Sequence, residues 1–122
     1  MKSYYQPKEY KLDKRIYSLT IKRIQSYGYY KDNIKRLSEK AKTAGLSEKE
    51  LREKGFSQIY VEAIETALKN YVVKDFQKAI KEHVIYGASY EYLERKYFLT
   101  KPSLKRWTRK FVWAVAQELE DF

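Results

Sequence analysis

Apolar positions recur at helical spacing along most of this chain, and no stretch alternates with the period of a strand. Leu12, Ile16, Leu19, Ile24 and Tyr27 mark a first amphipathic helix over about 12–27. Gly28 weakens or ends it, and Tyr29, Tyr30, Ile34, Leu37 and Ala41 carry a second stripe towards Gly45, a natural C-cap. Ser47 and Glu50 have the spacing of a capping box for a short helix over 48–54, which Gly55 should end. With Ser57 as the next cap, Ile59, Ala63, Ile64, Leu68, Tyr71, Val72, Phe76, Ile80 and Val84 keep phase as far as Tyr86, roughly seven turns. Gly87 stops that run. Residues 1–10, with Tyr4, Tyr5, Pro7 and Tyr10, show no period and read as an extended arm.

The stretch 88–117 carries the sharpest local signals. Ser89 is a good N-cap for a short helix over 90–97, in which Tyr90, Leu93 and Tyr97 share one face. Thr100 caps a second helix, and Pro102 falls in its first turn, where a missing N–H breaks no intrahelical bond. Only Phe98 and Leu99 lie between the short helix and the second cap, so the two helices must turn sharply. The expected fold is therefore all-α: an N-terminal helical pair, a long connecting helix and a C-terminal helix-turn-helix at about 89–119. Residues 1–46 read as a basic helical extension and 47–122 as the domain proper.

At about 100° per residue the last helix divides into two chemically distinct faces. Leu104, Trp107, Thr108, Phe111 and Val115 form an apolar stripe suited to packing, with Trp107 expected in the core. Pro102, Ser103, Arg106, Arg109 and Lys110 point the other way, with Lys101 and Lys105 on the flank. From Arg95 to Lys110 there are seven basic residues and no acid, so a phosphate backbone would meet no repelling carboxylate. Helix N-termini present base readers and later cations reach phosphates, so Ser103 and Arg106 are expected to read bases. Lys101, Lys105 and Lys110 are expected mainly on the backbone, and Arg109 could do either. Trp113 lies on the side of Arg106 and Arg109, and either caps the domain against another helix or meets a partner.

Charge widens this picture. The net charge is +10, and residues 1–46 hold 12 basic and 4 acidic side chains while residues 47–88 hold 7 of each. A polyanion approached from two places, double-stranded DNA above all, is the expected partner. A basic amphipathic face can also attract anionic lipid, but here the apolar positions are needed for the core. With 43% hydrophobic residues and only four Gly and two Pro, the chain should fold. The opening residues lack an apolar export signal and no apolar run is long enough to span a membrane, so a cytoplasmic setting is expected.

Catalytic constellations are not apparent. The chain has no Cys, and His83 is the single His, placed at the edge of an apolar stripe where a structural role is expected. Glu62 with Glu65, and Glu91 with Glu94, are i,i+3 pairs of a kind common on helix surfaces. The four glycines are too scattered for a phosphate loop, and none of the 13 tyrosines has a neighbouring His and Arg cluster. No enzyme activity, metal or cofactor is expected.

The segment LERKYFLTKPSLKRWTRKFVWAVAQEL resembles the terminal helix-turn-helix of small phage late-transcription regulators of the RinA/ArpU type, itself similar to region 4 of sigma factors. The likeness rests on Tyr97, Leu99-Thr100, then Leu104, Arg106, Trp107, Arg109 and Phe111, and the closing Val115 to Leu119. The stretch IKRIQSYGYYKDNIKRLSEKA is loosely similar to that family's N-terminal pattern. The resemblance implies a sequence-specific activator that binds near a late promoter in a bacterial host cell and recruits host RNA polymerase. Two features depart from the pattern: the turn has no glycine, and Pro102 stands where a polar base reader is common. The alternatives are a small terminase-like DNA-packaging protein, which would form a homo-oligomeric ring, and a non-enzymatic helical partner-binding protein.

Overall fold

A computed structural model of the chain describes residues 11–119. The arm expected over residues 1–10 and the acids Glu120 and Asp121 lie outside the described residues. Among the described residues six helices follow one another: α1 (Lys14–Gln25), α2 (Tyr27–Thr43), α3 (Glu48–Tyr71), α4 (Lys74–Val84), α5 (Tyr90–Tyr97) and α6 (Lys101–Leu119). Among the described residues there is no strand, and no helix is long and apolar enough to cross a membrane.

Several boundaries differ from the sequence expectation, each for a local reason. The first helix is capped by the Asp13 side chain, which accepts from the Arg15 N–H, and it ends at Ser26 rather than at Gly28. Ser26 turns its hydroxyl back onto the Lys22 carbonyl at 3.0 Å and takes φ −87°, ψ 9°, so the chain bends there. Gly28 lies within the first turn of α2. The helical pair expected at the N-terminus also forms differently. Lys40 bonds Glu50 while Tyr27 bonds Glu65, so α2 runs antiparallel along α3.

The capping box of Ser47 and Glu50 is present, with Ser47 Oγ accepting from the Glu50 N–H at 3.2 Å and Glu50 accepting from the Ser47 N–H at 3.0 Å. The helix it opens continues through Gly55, and Ser57 is a buried mid-helix residue rather than a cap. One glycine costs a helix only about 1 kcal/mol relative to Ala. The tertiary packing of α3 outweighs that.

The long run expected over 59–86 is instead broken at Val72 and Val73, both in extended conformation. The break leaves helix-end carbonyls without intrahelical donors, and Gln77 supplies one: its side-chain amide donates to the carbonyls of Val72 at 2.9 Å and Lys69 at 3.3 Å. Val72 is buried in the core, so the two valines act as a bend whose first side chain is anchored. The second stretch, α4, ends just before Gly87, whose φ of +76° suits glycine.

The core gathers around α6. Ile24 and Tyr27, Val61 and Ile64, Ala79 and Ile80, and Leu93 all join Leu104, Phe111, Val112 and Val115 in one cluster. Residues 111–116 are buried on every side. Such an all-round apolar segment is stable only as a central helix.

Candidate nucleic-acid interface

The short helix, turn and long helix at the C-terminus form at the expected places, with Ser89 capping α5 as expected. The Thr100 hydroxyl, expected to cap α6, donates instead to Ser103, and Glu94 caps the first N–H of α6. Ser89 accepts from the Tyr92 N–H at 3.1 Å and opens α5. Phe98, Leu99 and Thr100 make the turn, and the Thr100 carbonyl accepts the Leu104 N–H at 2.9 Å. Glu94 reaches across from α5 and accepts from the Lys101 N–H at 3.1 Å. A carboxylate there satisfies an otherwise unpaired donor and suits the positive end of the helix dipole. Leu93 and Leu104, both without solvent exposure, close the angle between the two helices.

The sequence-selected side chains separate into groups. Lys105, Arg106 and Arg109 are exposed on one side of the first half of α6. Lys101 is half-buried, with its ammonium 3.8 Å from Glu91 and 5.9 Å from the Tyr90 ring centre. Lys105 lies 6.0 Å from the same ring. Such distances mark the outer limit of a cation–π contact, so Tyr90 orients the two lysines while leaving them wet. Tyr90 is held in turn by His83, stacked on it at 4.2 Å, and the His83 Nδ1 is 2.7 Å from the Ala88 carbonyl.

Ser103 and Lys110 depart most from simple exposure. Ser103 is half-buried, and its hydroxyl oxygen accepts from the Thr100 hydroxyl at 2.9 Å, so one of its acceptor positions already serves the start of α6. Lys110 lies across Trp107, its ammonium 4.9 Å from the ring centre, and burial lowers its pKa from the ordinary lysine value. Trp107 packs on Phe76 at 5.7 Å and is only half-buried, so Lys110 covers the edge of the core. Trp113 is buried against Tyr71, ring centres 6.2 Å apart, and therefore caps the domain rather than facing outward.

Of the N-terminal cations Lys11 reaches this face, a proximity that linear charge counting did not reveal. Lys11, Leu12, Tyr17 and Arg109 line one open cleft where α1 crosses α6. The Tyr17 hydroxyl has its pKa raised by burial and by Tyr90, with Arg109 pulling the other way. Lys11 and Arg109 thus extend a single cationic surface. The paired carboxylates on the helices have structural occupations: Glu65 accepts from the Tyr27 hydroxyl and Glu94 caps α6. Chemically, the arrangement offers charge, two aromatic supports and hydrogen-bond donors on a convex helix. Comparison of the chain with protein-family models, curated proteins and solved structures found no match.

Proposed function

We propose that this chain is a double-stranded-DNA-binding transcription regulator that inserts the first half of α6 into the major groove. One observation carries the reading: Lys105, Arg106 and Arg109 stand exposed on one side of a helix that follows an eight-residue helix and a sharp turn. No acid occurs in that stretch from Arg95 to Lys110. The spacing matches the way a helix-turn-helix presents the N-terminal part of its second helix to base edges. Arg106 is the principal base reader, able to donate two hydrogen bonds to guanine O6 and N7. Lys105, Lys101 and Arg109 serve the phosphates, and Lys11 extends that contact.

The resemblance to small phage late-transcription regulators gives this chemistry its setting, activation of late genes together with host RNA polymerase. Fluorescence anisotropy of a labelled duplex across a range of salt concentrations tests the DNA contact. Affinity should fall with salt at a log–log slope near −0.9 for each phosphate neutralised. A slope of zero would rule out a phosphate-reading face.

A further inference from the structure

Phe98 combines two features that oppose each other. It lies in the left-handed region at φ 57°, ψ 41°, the only described residue other than glycine with positive φ, and the residue is 91% exposed. A left-handed residue commonly ends a helix, but glycine or asparagine usually fills the position because a Cβ strains that backbone. A turn between two such helices is likewise commonly made by glycine. The ring recovers nothing by burial. Strain together with exposure therefore marks Phe98 as a group retained for contact outside the chain.

The surroundings narrow what that contact is. Arg95 and Lys96 precede Phe98 in the last turn of α5, Lys101 follows it, and Leu99 turns inward to pack on the core. On α5 the exposed ring of Tyr92 has the Lys96 ammonium 5.5 Å from its centre. A protein-binding aromatic anchor works inside a rim that excludes water. Phe98 has instead a charged border: Lys96 is paired with Glu82 at 2.6 Å and Lys101 stands 3.8 Å from Glu91. The exposed Arg95, Lys105 and Arg106 leave the neighbourhood net basic, which suits a phosphate-bearing partner. It also sits just ahead of the α6 N-terminus, the end that approaches the groove in the proposed reading.

We infer that Phe98 is an aromatic contact to DNA, its ring packing on a deoxyribose or a thymine methyl at the lip of the groove that α6 enters. The inference rests on the DNA-binding reading above. Burying a ring against such an apolar group corresponds to a loss of about fivefold or more in affinity when the ring is removed. The exposed ring contributes little to the fold, and the strain comes from the Cβ, so replacement by glycine should relieve the backbone.

The test uses the full chain, with Phe98→Gly and Phe98→Asn measured beside the wild type on a short fluorescein-labelled duplex and by thermal melting. Both replacements suit the left-handed backbone. The expected result is a Tm raised by about 2–8 °C for Phe98→Gly, with affinity for the duplex lower by about fivefold or more in both variants. Wild type that binds with a steep salt dependence while both variants bind equally well would overturn the inference and leave the DNA reading standing. Wild type without salt-dependent binding would overturn both. If either variant proves less stable than wild type, the one that melts at or above the wild-type temperature decides.

Discussion

Residues 101–110 and 111–116 belong to one continuous helix, yet they meet opposite environments. In the first segment Leu104 and Thr108 face inward while Lys105, Arg106 and Arg109 face water. In the second, Phe111, Val112, Trp113, Ala114, Val115 and Ala116 are all buried. The core half fixes the axis of α6 through α1, α3 and α4, and that rigid axis holds the cationic half in place. A cationic face on a helix anchored this way would need little ordering on meeting a partner, since its backbone is already fixed.

Truncation of the core half should have the largest effect. Phe111→Ala is expected to cost about 3–5 kcal/mol of stability and Leu104→Ala about 2–5, because both side chains are wholly buried. Chemical denaturation measures both losses, and an unchanged midpoint for Phe111→Ala would erase the distinction between the two halves. The cationic half should behave inversely. Arg106→Ala is expected to leave the midpoint within about 0.5 kcal/mol and to cost about 1–3 kcal/mol of binding to a selected site. Lys110→Ala should weaken specific and scrambled duplexes alike and by less, since Lys110 is spread over Trp107. Anisotropy on the two duplexes separates the pair.

Two smaller effects sharpen the boundary. Lys11→Gln should make the salt slope shallower by about 0.9 with little change in stability, because Lys11 shares the cleft of Arg109. Deleting residues 1–46 would be a poor substitute, as it removes Ile24 and Tyr27 from the core. Thr108 has a buried hydroxyl for which no hydrogen-bond partner is found among the described residues. Thr108→Val should therefore change stability by no more than about 1 kcal/mol, in either direction. A large loss on calorimetric melting would mean that the hydroxyl is bonded after all.

Local chemistry made much of the fold legible in the sequence. The Ser89 cap, the capping box of Ser47 and Glu50, and the stripe of Leu104, Thr108, Phe111 and Val115 each occur at the expected places because short-range bonds and helical phase determine them. The readings that failed turn on competition between local and tertiary terms. Gly55 is outweighed by the packing of α3, and the bend at Val72 and Val73 depends on Gln77, whose role is invisible in a periodicity count. The site was legible in part for the same reason. Helical phase gives the exposure of Lys105, Arg106 and Arg109, but the burial of Trp113 on Tyr71 and the meeting of Lys11 with Arg109 come from contacts between distant segments.

The most direct test of the account replaces Lys105, Arg106 and Arg109 together by Gln and compares the variant with wild type in two measurements, melting temperature and the salt dependence of duplex binding. The three side chains are exposed, so the melting temperature should hold while the log–log slope becomes shallower by about 1.8, some 0.9 for each of the phosphate contacts of Lys105 and Arg109. The preference for a selected over a scrambled duplex that Arg106 supplies should be lost. An unchanged slope at unchanged stability would contradict the assignment of the first half of α6 as the surface that meets DNA.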